Sequence, residues 1–201
     1  MVGNPDDEQV LINRARRGDL DAFNALILRY QDSAYTVAFR IMGDAHSAAD
    51  AAQEAFITAY RRLSTYRGGS FRAWLLRITT NHCYDELRRR QRRPAVSVDE
   101  LGDDPPLPDD ADTPEEVVQQ RELQRAIQNC ISALNDDQRI ALVLSDVEGL
   151  DYQAIADSVG VQIGTVKSRL SRARAAVRDC LQGVRELLPP AYRLISDESV
   201  D

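Results

Sequence analysis

Four polar residues, Arg77, Asn81, Tyr84 and Arg88, recur at 4-3-4 spacing within FRAWLLRITTNHCYDELRRRQRR, residues 71–93. At roughly 100° per residue they fall on one stripe of a helix. An aromatic ring, an amide and guanidinium groups in line are the parts needed to stack on unpaired bases and hydrogen-bond to them. The run Arg88, Arg89, Arg90, Arg92, Arg93 continues the stripe until Pro94 ends it. Cations in a last helical turn suit the helix dipole, but five exceed that need, and the arginine fork matches phosphates and bases. Taken alone, the stripe reads equally well as a solvated helix end.

A second polar face lies near the other end of the chain. On the helical pattern after Gln162, Val166, Leu170, Ala173, Val177 and Leu181 form a narrow apolar stripe. Lys167, Ser168, Ser171 and Arg172 lie opposite it, with Thr165 at its start and Arg169, Arg174 and Arg178 on the flanks. No acid occurs between Thr165 and Arg178, although a merely solvated amphipathic helix would carry some. Small and hydroxyl side chains let a backbone approach base edges while cations reach phosphates. A short helix capped by Asp151, with Tyr152, Ile155, Ala156 and Val159 inward, and the Gly160–Gln162 turn precede this segment. Short helix, tight turn and longer basic helix make a helix-turn-helix signature.

Other chemistry finds little support. The two histidines, His46 and His82, lack metal-ligand spacing. Neither a phosphate-binding glycine loop nor a nucleophile elbow occurs. The pattern therefore predicts no catalytic residue, no metal and no cofactor. The three cysteines, Cys83, Cys130 and Cys180, are isolated on apolar helical stripes and are expected to be reduced core thiols. No apolar run reaches membrane-spanning length and the acidic N-terminus lacks a signal pattern, so a cytoplasmic location is expected.

The elements that must position the two polar faces are helical throughout. Asp6 to Arg17, a period through Phe23, Leu26, Ile27, Tyr30, Ala34, Val37 and Ile41 that stops at Gly43, and Ser47 to Tyr66 read as three helices before the arginine-rich one. The third presents Asp50, Gln53 and Glu54 at i, i+3, i+4, opposite its Ala52, Ala55, Phe56, Ala59 and Leu63 face. Residues 94–116 hold nine acids, no base and five of the eight prolines, too little apolar surface to fold alone. The net charge of −7 is thus concentrated in this segment, and the cations cluster at 88–93 and 167–178. Segregated charge of this kind is compatible with nucleic-acid binding despite an acidic total. The fold predicted is all-α: a four-helix unit over 1–93, a flexible acidic linker over 94–116, a helix-turn-helix unit over 117–182 and a tail over 183–201.

These pieces in this order resemble the extracytoplasmic-function (ECF) subfamily of bacterial sigma factors. The resemblance is carried by GDLDAFNALILRY, AADAAQEAFITAYRRL, FRAWLLRITTNHCYDELRRR and YQAIADSVGVQIGTVKSRLSRARAAVR. It implies that residues 1–93 correspond to sigma region two and 117–182 to region four. It further implies binding to core RNA polymerase through its β and β′ subunits, with Asp50, Gln53 and Glu54 on the β′ clamp helices. Arg77, Asn81, Tyr84 and Arg88 would then recognise and melt the minus-ten element. Thr165, Lys167, Ser168, Arg169, Ser171, Arg172 and Arg174 would read the minus-thirty-five element. The linker would thread polymerase channels, and an anti-sigma factor is an expected partner. Asn135-Asp136 stands where the family usually has a proline pair, a departure that alters a helix start. The alternative reading is a helix-turn-helix regulator that never touches polymerase, which leaves the 48–93 block without a purpose.

Overall fold

The structure, a computed structural model, describes residues 5–92 and 114–188. The acidic linker up to residue 113 and the tail from residue 189 lie outside the described residues.

Helix α1 (Pro5–Ala15) leads into α2 (Leu20–Met42), α3 (Ala45–Arg62) and α4 (Phe71–Arg92). Capping explains the boundaries. Asp19 Oδ1 accepts from Ala22 N at 3.0 Å and Asp44 Oδ1 from Ser47 N at 2.7 Å, each satisfying an orphan amide of the first turn. Asp44 therefore starts α3 two residues earlier than the apolar period suggests. Gly43 closes α2 in the left-handed region, at φ 82°, where a side chain would be strained. A 3-10 turn, Leu63–Thr65, and the Gly68–Ser70 loop then turn the chain into α4.

The second unit begins with α5 (Pro114–Ser132), three residues before the expected boundary, and proline's fixed φ suits a first helical position. Then come α6 (Asp136–Leu142), a π-helical turn (Val143–Val147), α7 (Tyr152–Val159) and α8 (Ile163–Gln182). Asn135 caps α6 through Gln138 N at 3.0 Å, and Asp151 caps α7 through Ala154 N at 2.8 Å. The π-helical turn leaves Val147 exposed while Val143 and Leu144 are buried. A 3-10 turn, Arg185–Leu187, follows α8 and packs against α5. Among the described residues there is no strand, and no helix is long and apolar enough to cross a membrane.

Two apolar clusters hold the chain together. One lies wholly within the first unit, around Ile12, Phe23, Leu26, Leu63, Tyr66, Phe71 and Leu75. The other runs from Val37, Met42, Leu76, Cys83 and Leu87 into Ile131, Leu134, Ile140, Leu144, Ile155 and Leu170. The helix-turn-helix unit is therefore seated directly on α2 and α4.

One expectation fails here. Cys130 and Cys180 are joined by a disulfide between α5 and α8, with Cα atoms 5.7 Å apart and 50 residues between them in sequence. Their helical stripes had suggested two separate core thiols. Helical periodicity says which face a residue occupies, but not which distant residue faces it. Only Cys83 remains a buried thiol, pushed up to about 12 by burial and so chemically quiet.

Candidate nucleic-acid and polymerase interfaces

The polar triad on α3 comes out where its spacing implies. Asp50, Gln53 and Glu54 are all exposed, because alanines at 48, 51, 52, 55 and 59 fill the opposite face. They line an open cleft between α3 and α4 with His82, Asp85, Glu86 and Arg89. His46 Nε2 stands 3.6 Å from Asp50, one turn away. Gln53 also borders an apolar groove of about 800 Å³ between α2 and α3, lined by Leu20, Phe23, Ile27, Phe56 and Tyr60. An amphipathic helix laid with its apolar face in such a trough would bring its polar flank to this rim.

On α4, Arg77, Asn81 and Arg88 are exposed along one face. Tyr84 is half-buried, and the Arg88 guanidinium lies 5.7 Å from its ring centroid, within cation–π range. The Tyr84 hydroxyl donates to Asp137 at the start of α6. Burial, and then the Asp137 carboxylate, push the phenol well above its ordinary value, so it stays a donor.

On α8, Thr165, Lys167, Ser171 and Arg172 are exposed, and Ser168 and Arg169 are half-buried. Ser168 Oγ donates to Thr165 O at 2.9 Å. Arg174 grips Asp146 through two nitrogens, at 2.9 and 2.6 Å, and reaches Ser145. Arg169 donates to the other oxygen of the same Asp137 that holds Tyr84. Two residues from the two candidate DNA faces are thus brought together on a single carboxylate.

More polar bonds cross the same seam. Arg72 of α4 donates to the Glu148 carbonyl at 2.7 Å and also to its carboxylate, which is only 4% exposed. Burial raises the Glu148 pKa, against the opposing pull of Arg72. Arg40 donates to Gln128 at 2.9 Å, and Gln91 to Asp136 at 2.9 Å. Arg139 donates to Ile41 O at 2.8 Å, Ser132 O at 2.7 Å and Leu134 O at 2.8 Å. One guanidinium therefore satisfies carbonyls at the C-terminal ends of both α2 and α5, where helix dipoles favour a cation.

Asp137, Arg72, Glu148 and Arg139 were not singled out by sequence reasoning. Asn135 performs the capping at the start of α6, leaving Asp137 available for the seam.

The comparisons agree with this architecture. Residues 26–93 match the Sigma-70 region 2 family and residues 124–177 match the Sigma-70, region 4 family. The chain is 39% identical over 184 residues to the RNA polymerase sigma-H factor of Pseudomonas aeruginosa, covering 88% of this chain and 95% of that protein. It is 36% identical over 184 residues to the ECF RNA polymerase sigma-E factor of Escherichia coli K12, covering 87% and 94%. Among solved structures, CnrH in complex with the cytosolic domain of CnrY shares the fold at TM-score 0.66 and 24% identity, over 88% of this chain and 98% of that one. The sigma factor RpoE in complex with the anti-sigma factor NepR, from Bartonella quintana, does so at TM-score 0.64 and 24% identity, over 80% and 96%. The chain belongs to the ECF RNA polymerase sigma factors of the sigma-70 family.

Proposed function

We propose that this sigma factor binds core RNA polymerase through the exposed Asp50–Gln53–Glu54 face of α3 and the apolar groove beside it, where the β′ clamp helices dock. Residues Arg77, Asn81, Tyr84 and Arg88 of α4 engage and open the minus-ten element. Thr165, Lys167, Ser168, Arg169, Ser171, Arg172 and Arg174 of α8 read the minus-thirty-five element. The protein acts as a non-enzymatic initiation factor on polymerase in the cytoplasm. The observation that carries this reading is the pairing of two cationic helix faces, on α4 and α8, with a separate, polar, exposed helix face on α3. A helix-turn-helix regulator working without polymerase has no use for the third surface.

The packed arrangement has a mechanical consequence. Elements named for positions 35 and 10 lie on the order of 80 Å apart along a duplex at 3.4 Å per base pair. A 20-residue helix such as α8 spans only about 30 Å. With Tyr84 and Arg169 on one carboxylate, the two faces cannot reach both elements together. The described form is therefore the closed form, and polymerase separates the units. The sigma factor RpoE of Bartonella quintana was solved in complex with the anti-sigma factor NepR, and a partner of that kind that stabilises the closed form is part of this reading.

The test is charge reversal at Asp50 and Glu54. Both are exposed, so folding should change by under about 0.5 kcal/mol, while co-purification with core polymerase is lost. A folded double variant that binds core normally would refute the assignment.

A further inference from the structure

We propose that Cys130 and Cys180 form a thiol–disulfide switch that sets how firmly the distal half of the recognition helix is held. The fully buried anchors of α8 are Val166, Leu170 and Ala173, all in its first half. Beyond Ala173 only Val177 and Leu181 are even half-buried. The covalent tie sits in this weakly packed stretch, joining Cys180 to Cys130 near the end of α5. Two residues earlier on α5, Gln128 holds Arg40 of α2. The disulfide thus completes a path from the recognition helix to the element that seats the second unit on the first.

The two sulfurs are unequally placed. Cys130 is 3% exposed, whereas Cys180 is an exposed residue. A thiolate of a dithiol reductant attacks Sγ of Cys180, and the sulfur–sulfur bond breaks. Cys130 leaves as a thiolate and takes up a proton. The second thiol of the reductant then displaces Cys180, also released as a thiol. The reductant departs as a disulfide, having supplied two electrons and two protons. A disulfide oxidant reverses each step. Cys83, buried and pushed up to about 12, stays outside this exchange.

Reduction leaves residues 174–182 held by the half-buried Val177 and Leu181 and, at their start, by the partly exposed Arg174–Asp146 pair, while Thr165 to Arg172 stay docked through the buried anchors. The switch would thus act on Arg174, Arg178 and the outer grip of the helix on DNA, a consequence that rests on the function proposed above. The bond itself and the local loosening do not rest on it.

The experiment compares oxidised and dithiol-reduced full-length protein, treated with a thioredoxin-type dithiol. Thiol titration of the folded protein should rise from none to two. Hydrogen exchange at 174–182 should quicken at least tenfold, with less than a threefold change at 163–173. Run-off transcription with core polymerase should fall several-fold on reduction when a minus-thirty-five element is required. The Cys130→Ser/Cys180→Ser variant should match the reduced protein under both conditions. A bond that forms in neither state, or that yields to the dithiol only after unfolding, overturns the switch. So does equal exchange at 174–182 in both forms. If exchange responds but transcription by an active protein does not, the regulatory role is overturned. If the protein never supports transcription, the sigma reading fails while the thiol and exchange results still decide the switch.

Discussion

The interior of the first helical unit and the seam between the two units are both buried, yet they are built differently. The first is closed by aromatic packing: Phe71 lies 5.4 Å from Trp74, 5.5 Å from Tyr66 and 5.7 Å from Tyr30, centroid to centroid. Such contacts are lost only when the helices themselves come apart. The seam also has apolar packing, but charged and polar groups from both sides are threaded through it: Arg72 with Glu148, Tyr84 and Arg169 with Asp137, Arg40 with Gln128. Polar groups that find water or nucleic acid on separation lose little by parting, whereas a bare apolar core does not share that freedom. One interface holds the unit permanently, and the other is suited to opening.

The contrast is tested most severely inside the first unit. Phe71 is 1% exposed, and Phe71→Ala should cost about 3–5 kcal/mol. Denaturant titration should show the loss in the unfolding of α1–α4, and core polymerase binding should fall with it. A small loss would mean that the aromatic cluster is not what holds the unit.

At the seam, Asp137→Ala strands a phenol and a guanidinium at once. A lost hydrogen bond to a charged group is worth about 1.5–3 kcal/mol. Asp137 is 46% exposed in its side chain, so water screens the pair and the lower end applies. The change should open the seam without unfolding either unit. The free protein should bind promoter DNA several-fold more tightly while its denaturation midpoint moves little. Loss of stability in the units with no gain in DNA binding would make Asp137 an ordinary structural residue.

The smallest effect expected concerns pH. Burial raises the Glu148 pKa above its ordinary value, so the carboxyl holds its proton more tightly in the closed form than in the open one. Its contribution to closure is then complete below the ordinary carboxylate range and is lost as pH rises through the raised value. Glu148→Gln keeps an acceptor for Arg72 and removes the titration. The wild type should open more readily with rising pH than the variant does, read as the pH dependence of distance between the units. Parallel pH profiles would remove Glu148 from the seam's energetics.

The same division explains what the sequence made legible. Helix boundaries at Asp19, Gly43, Asp151 and Gly160 follow from local capping, and their signals lie within a few residues. The exposed face of α3 was readable because alanines and large apolar residues occupy the opposite face at helical spacing. The seam was not, since its partners are remote: Tyr84 and Asp137 are 53 residues apart, and Arg72 and Glu148 are 76 apart. No periodicity links such positions. The cysteine pair was misread for the same reason, because each residue fits an apolar stripe by itself. Tyr84 was assigned to a DNA face, and its present partner is a carboxylate of the other unit. A partner 53 residues away leaves no local trace in the pattern around Tyr84.

If the two candidate DNA faces are sequestered on each other in the free protein and separated by polymerase, the distance between the units changes on holoenzyme assembly. Spin labels at exposed Arg17 and Asp157, introduced without cysteine chemistry, report the distance between the units by double electron–electron resonance. The expectation is one short distribution for the free chain and a longer, non-overlapping one in the holoenzyme, with Asp137→Ala populating the longer form in part without polymerase. An unchanged short distance in a holoenzyme that initiates transcription would contradict it.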